Sequence, residues 1–145
     1  MLMHVNQLSV FIENKIGRLK EITTILKEAH VNIRTLTLSD TSDFGVLRLI
    51  VDNHALAEES LKKQGFTLNT TKVLAVEVED QPGGLHHILE VIQDSGINIE
   101  YLYAFVNRSG DKAINIFRFD NLEEAAKILM KNGIQVIDGN TLYSL

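Results

Sequence analysis

The 145-residue chain contains no cysteine, which excludes disulfide bonds, thiolate metal sites and cysteine nucleophiles. It has no apolar run near the ~20 residues that a membrane-spanning helix needs. It also lacks an excess of basic residues, since 14 Lys and Arg stand against 19 Asp and Glu, a formal net charge of −5. A nucleic-acid-binding face requires the opposite balance. We therefore expect neither a membrane nor a nucleic acid as partner.

The remaining composition is that of a folded, soluble protein. Hydrophobic residues make up 45% and charged residues 23% of the chain. Residues 1–5 lack the basic region and long apolar stretch of a signal peptide. We therefore expect a cytoplasmic protein, either one domain of ordinary size or two small ones.

The chain contains an internal repeat. Its two halves share a Gly-x-Leu segment and an Asn-Ile pair at an offset of 66 residues, and a Lys-x-Gly segment at an offset of 68. The aligned pairs are Gly17 with Gly83, Leu19 with Leu85, Asn32 with Asn98, Ile33 with Ile99, Lys63 with Lys131 and Gly65 with Gly133. The halves are residues 1–70 and 71–145, and we predict a short polar joint at residues 69–72.

Each half shows the same order of hydrophobic periods. Period-2 alternation at residues 8–13 predicts a strand, and helical spacing predicts helices that end near His30 and Gly96. Next come strands at 32–38 and 98–106, turns at 39–43 and 107–111, and strands at 46–51 and 113–119. Helices at 54–64 and 122–132 precede final strands that begin at Phe66 and Ile134. The predicted fold class is α+β: two tandem ferredoxin-like βαββαβ repeats, each an antiparallel sheet with its helices on one face.

One predicted strand is apolar on both sides. Tyr101, Tyr103 and Phe105 share one side, while Leu102 and Val106 lie on the other. A strand of this kind is covered on both faces. We therefore expect the helix-free side of the sheet to be covered by the sister repeat or by a second chain.

The join between first strand and first helix is the segment that indicates chemistry. In each half an Asn or Asp, Asn14 or Asp80, ends the strand, and a Gly opens the helix three residues later. A helix N-terminus attracts a carboxylate, and glycine lets a ligand approach the backbone. An Asn or Asp oxygen accepts from an ammonium group, so the loop suits an α-amino acid. The alternative is a capped turn in which Asn14 and Asp80 are N-caps.

These loops, together with the segments His-Val-Asn-Ile at 30–33 and Gly-Ile-Asn-Ile at 96–99, resemble the ACT domain family. The resemblance covers essentially the whole chain as two tandem copies. It implies a regulatory module that binds a small amino acid at the interface between ACT units and has no catalytic activity. The ligand-binding residues that it implies are Asn14, Ile16, Gly17, Arg18, Leu19, Asn32, Asp80, Gln81, Pro82, Gly83, Gly84, Leu85 and Asn98.

The first repeat departs from the family pattern. Ile16 replaces the proline, and Arg18 replaces a small residue, where it either crowds the site or grips a carboxylate directly. Asp80 carries a charge that Asn14 lacks. We therefore expect the two loops to differ in their affinity for an ammonium group.

Three alternatives to amino-acid sensing stay open. An enzyme is disfavoured because His86, His87 and Glu90 match no metal or catalytic spacing, and we expect no metal and no cofactor. An RRM-like RNA binder would need Phe117 and Tyr101 exposed on a basic surface. Nothing in the sequence excludes a ligand-free oligomerisation module. For the favoured function we expect a homodimer and, as regulatory target, a separate metabolic enzyme.

Overall fold

A computed structural model describes residues 3–40 and 43–145. The contacts divide the chain into two compact units. The first unit is Asn6–Thr71, and the second is Lys72–Leu145 together with the described residues that precede Asn6. The N-terminal residues therefore belong with the second unit, which the repeat pattern did not suggest.

The first unit contains β1 (Val5–Glu13), α1 (Arg18–Glu28), β2 (Ile33–Asp40), β3 (Phe44–Val51), α2 (His54–Lys63) and the start of β4 (Thr67–Val78). Strand β3 lies between β1 and β2 and pairs antiparallel with both. Alternate strand residues such as Leu8, Leu47 and Leu49 face the two helices, where Ile22 and Leu61 close the core. This is the amphipathic arrangement that the period-2 and helical patterns predict.

The second unit contains the rest of β4, then α3 (Gly84–Gln93), β5 (Ile99–Ala104), β6 (Ala113–Phe119), α4 (Leu122–Lys131), β7 (Val136–Ile137) and α5 (Gly139–Ser144). Its strands pair antiparallel in the order β5-β6-β4-β7. Phe117 and Phe119 stack on one another, with ring centroids 5.3 Å apart, in the core beneath α3 and α4. Both units thus confirm the predicted ferredoxin-like βαββαβ repeats with antiparallel sheets and helices on one face.

Two strands differ from the sequence prediction. The predicted polar joint at 69–72 lies inside β4, a single strand of 12 residues. Its threonines are β-branched and therefore favour an extended backbone. The prediction rested on the polarity of the segment and not on this preference. The last strand of the second repeat has only two residues, and the chain then ends in helix α5, which Asp138 caps through the amide of Thr141 at 2.9 Å. Part of the predicted turn 39–43, namely Thr41 and Ser42, lies outside the described residues.

The second sheet is buried on both faces at its centre. Phe117 faces the helices with no exposed surface, while Ile114 and Ile116 point to the helix-free side and are equally buried. On β5 the expected cover is incomplete, since Tyr103 is half-buried and Leu102 is 39% exposed. Because Phe117 lies in the core, it does not form the exposed stacking platform that the RNA-binding alternative needs. Among the described helices, none is long and apolar enough to span a membrane.

Candidate functional site

The two strand-to-helix loops share one backbone design. Helix α1 follows Gly17 at φ 91°, and α3 follows Gly83 at φ 88°, both in the left-handed region that favours glycine. Neither helix receives a side-chain cap, so Asn14 and Asp80 are not N-caps. The capped-turn interpretation of these two residues is therefore wrong.

The first turns of both helices leave backbone donors unused. The amides of Glu21 and His87 bond to the carbonyls of Gly17 and Gly83 at 3.0 Å. The amides just before them, those of Leu19 and Lys20 in α1 and of Leu85 and His86 in α3, find no acceptor within residues 3–40 and 43–145. Such amides, at the positive end of the helix dipole, are the groups that bind carboxylates at helix starts.

The second loop packs against its own strand. A Cβ at Gly84 would overlap the carbonyl oxygen of Glu79, so only glycine fits there. The matching residue of the first repeat is Arg18, whose guanidinium lies 4.8 Å above the Phe66 ring and pairs with Glu21 at 2.8 Å. The Arg18 guanidinium therefore contacts Phe66 and Glu21 of its own unit. The sequence had also allowed this guanidinium to bind a ligand carboxylate directly.

Asp80 is held by the turn between β5 and β6. Its carboxylate pairs with Arg108 at 2.7 Å, and Arg108 also donates to the carbonyl of Asp111 at 2.7 Å. The side chains of Asp80 and Arg108 are both about half exposed, so solvent screens their attraction. This contact places a cation beside the one acidic side chain that the sequence predicted for ammonium binding.

Neighbouring contacts fix the same turn to the end of β4. Lys112 pairs with Glu79 at 3.2 Å and approaches Glu77 at 3.8 Å, while the Ser109 hydroxyl donates to Glu77 at 2.5 Å. The hydrogen bond and charge of Glu79 raise the pKa of Lys112 above its ordinary value. The sequence predicts a turn at 107–111, but it did not predict these contacts with Glu77, Glu79 and Asp80. The available signal was charge complementarity between the acids of 77–80 and the bases of 108–112.

The first loop has different surroundings. The Asn14 amide donates to the carbonyl of Asp43 at 3.0 Å, and Ile16 is fully exposed. In the second loop, Gln81 and Pro82 are exposed on the equivalent turn. The structure thus brings residues 14–19 together at one end of the first sheet and 80–85 together at the same end of the second.

Asn32 and Asn98 lie at the other end of their sheets. The Asn32 amide donates to an Asp52 carboxylate oxygen, and the Asn98 amide to an Asp120 oxygen, both at 2.9 Å. Strand β3, at ~3.3 Å per residue, separates Asp52 from the first loop by about 25 Å. A single unit therefore does not bring its own Asn32 or Asn98 to its own loop.

The histidines beyond the second loop form no metal site. Among the described residues, no group of three or more His, Asp or Glu side chains is arranged to hold a metal ion. His86 lies 3.8 Å from Glu90 on the exposed side of α3. His87 borders a small recess of about 110 Å³ together with Glu77, Glu79 and Lys112.

The described chain thus contains two ferredoxin-like units, each with helix amides at its first strand-to-helix loop that have no acceptor among the described residues. The comparisons identify the family. A family model described as an ACT domain pair matches residues 3–145, and the chain belongs to this family of paired ACT domains. No curated protein sequence matches the chain.

Solved structures give the same fold. Protein BT0572 from Bacteroides thetaiotaomicron is 34% identical, with 99% of this chain and 98% of that chain aligned and a TM-score of 0.92. The ligand-free regulatory subunit of aspartate kinase from Thermus thermophilus is 16% identical over 88% of this chain and 91% of its own, with a TM-score of 0.63. The corresponding subunit from Thermus flavus is 14% identical over 87% and 90%, with a TM-score of 0.59.

Proposed function

We propose that this chain is a non-catalytic regulatory protein that binds a small amino acid. The observation that carries the proposal is the second loop, where the unpaired amides of Leu85 and His86 follow closely on the Asp80 carboxylate. The amides would bind the ligand carboxylate, and Asp80 would bind its ammonium group. Membership of the ACT family supports a regulatory role of this kind.

We place the ligand at an interface between ACT units. Asn32 and Asn98 lie far from the loop of their own unit, so either can contribute only to the loop of another unit. We propose ACT repeats at 1–70 and 71–145 that act within a homodimer. Their target would be a separate metabolic enzyme, and no cofactor enters the proposal. Since coupling is reciprocal, a partner that prefers one pairing of units would change the affinity for the ligand.

The two loops are unequal in this proposal. Asn14 offers an uncharged oxygen, and Arg18 is engaged by Phe66 and Glu21. Asp80 is negatively charged and about half exposed, so an ammonium group would approach a carboxylate that Arg108 already contacts, beside a loop that Gly84 packs tightly. We therefore expect the second loop to bind an ammonium group more tightly than the first.

The test is a thermal-shift screen of the full chain against the twenty amino acids. A ligand at 100 times its dissociation constant stabilises the native state by about 2.7 kcal/mol, a shift of several degrees in Tm. Asp80→Ala should abolish the shift. Asp94→Ala, an exposed acid at the far end of α3, serves as control for loss of one charge. Lys112→Gln is a second control, because it loosens the same turn without touching Asp80.

The outcomes separate the hypotheses. A shift that is lost in Asp80→Ala and retained in both controls supports the amino-acid site. A shift that survives in Asp80→Ala rejects the assignment of that site. If none of the twenty amino acids raises the Tm at millimolar concentration, the ligand-free oligomerisation module becomes the better explanation.

A further inference from the structure

The second unit contains a cavity that the loops do not explain. It has a volume of about 450 Å³ and lies where β4 enters the second unit, β6 ends and α4 starts. This is the opposite end of the sheet from the loop that carries Asp80. Its lining includes Lys72, Leu74, Phe119, Ala126, Lys127 and Met130.

The equivalent place in the first unit is filled by polar contacts. On α2, Glu58 pairs with Lys62 at 2.7 Å and accepts from the Thr70 hydroxyl of β4 at 3.1 Å. At the repeat offset of 68 residues, Ala126 stands for Glu58 and Met130 for Lys62. The second repeat thus has a small residue and an apolar one where the first has an ion pair.

The short last strand of the second unit also leaves the cavity without a counterpart of Thr70. Thr70 reaches Glu58 because β4 continues through the end of the first unit. In the second unit β7 stops at Ile137, and the counterpart of Thr70 is Asp138, which caps α5 instead. The cavity therefore follows from two local differences between copies of one fold, in side-chain size on α4 and in strand length.

The cavity joins an apolar wall to a cationic rim. Leu74, Phe119 and Ala126 are buried and form the wall. At the rim, Lys72 and Lys127 have no ion-pair partner within the part of the chain that the structure describes. The charges of both lysines therefore remain available to an anion.

The other charged groups at the rim are less available, apart from one acid. Arg118 is pinned, since it donates to the Lys72 carbonyl at 2.9 Å and pairs with Glu100 at 3.1 Å. Asp120 already accepts the Asn98 amide at 2.9 Å. Glu123, in the first turn of α4, is the remaining acid of the lining. Two lysines and one acid thus remain without an ion-pair partner at the described rim. This excess of positive charge favours a ligand with an anionic group.

We propose that this cavity is a second ligand site, and that it takes a small monocarboxylate with an apolar aliphatic or aromatic body. The apolar part lies against Leu74, Phe119 and Ala126, and the carboxylate pairs with Lys72 at the rim. The volume falls in the range of small-molecule sites. The inference is independent of the amino-acid site, because the two share no residue.

The test is a titration of the ¹⁵N-labelled full chain with 4-methylpentanoate, followed by ¹H–¹⁵N correlation spectra. We expect saturable shifts at the amides of Lys72, Leu74 and Ala126. The uncharged 4-methylpentanamide has the same apolar body, so it should bind at least threefold more weakly if the carboxylate pairs with a lysine. Residues 80–85 should not shift, which distinguishes this site from the loop.

Two variants probe the wall and the rim separately. The double substitution Ala126→Glu with Met130→Lys copies the pair of the first repeat into the cavity, and should weaken binding at least tenfold. Lys72→Gln keeps the cavity and should weaken binding by about threefold to tenfold. Lys63→Gln, an exposed lysine at the end of α2, is the matched control and should bind as the unaltered chain does.

Several results would overturn the proposal. They are absence of saturable shifts at the cavity up to 10 mM, equal binding of the amide and the carboxylate, and undiminished binding by Lys72→Gln. Since Lys72→Gln removes only a rim charge, its result stands even if the double variant fails to fold.

Discussion

Gly84 lies where the β4–α3 loop comes closest to its own strand. Any Cβ there meets the Glu79 carbonyl, whereas Gly83 next to it has open space and requires glycine only for its φ of 88°. We expect Gly84→Ala to lower the free energy of unfolding by about 2–3 kcal/mol through overpacking. Gly83→Ala should lower it by about 1 kcal/mol, the cost of a left-handed alanine. Urea denaturation measures both, and equal losses would contradict the close approach.

His4 is a residue whose ionisation should affect stability. Burial, and then the charge of Lys72, lower its pKa below the ordinary 6.5. The unfolded chain therefore binds the proton more readily than the native state does. The contribution of neutral His4 to the free energy of unfolding is therefore fully present above pH 6.5. It is lost as the pH falls through the lowered pKa of the native state.

We expect His4→Gln to flatten the fall in Tm between pH 7 and pH 5 relative to the unaltered chain. Differential scanning fluorimetry at constant ionic strength measures this. His86→Gln, at an exposed histidine of α3, is the control for replacing an imidazole with an amide. A profile unchanged by His4→Gln would show that the proton binds equally well to both states.

At the scale of elements, the patterns that repeat along the chain were predictable. Helices α2 and α4 begin at His54 and Leu122, directly after the asparagines that cap them, and each asparagine side chain accepts from a backbone amide at 3.1–3.2 Å. Their ends at Lys63 and Lys131 fall within one residue of the prediction, because Gly65 and Gly133 follow with positive φ. Caps, stops and hydrophobic period are local signals that the sequence displays directly.

Strand β4 is an element that local sequence signals did not predict correctly. Residues 69–72 are polar, and a polar stretch between two repeats is typical of a linker. The segment is a strand because the sheet of each unit uses part of it. Helix α5 was not predicted because its six residues are too few to show a helical period.

At the scale of the whole molecule, the second unit depends on the start of the chain. Met3 packs against the core of the second unit, and a Cβ at Gly139 of α5 would contact the His4 carbonyl at 3.3 Å. A fragment of residues 71–145 lacks these groups and is also near the lower size limit for independent folding. We expect that fragment to give poorly dispersed amide spectra by itself.

Addition of a fragment of residues 1–70 should restore dispersed signals, because it supplies Met3 and His4. A fragment 1–70 that carries Met3→Asp is the control, and it should restore them less well. Native-like spectra of 71–145 alone would show that the N-terminal residues contribute little to the second unit.

The sequence by itself determined the duplication, the βαββαβ order, the sides of the strands that form each core, and the glycines of the two loops. These follow from spacing and backbone preference, which act over a few residues. The tertiary structure decided the partner of Asp80, the separation of Asn98 from its loop, and the cavity beside Ala126. Each depends on strand register or strand length, which bring together residues far apart in the chain and leave no periodic trace in it.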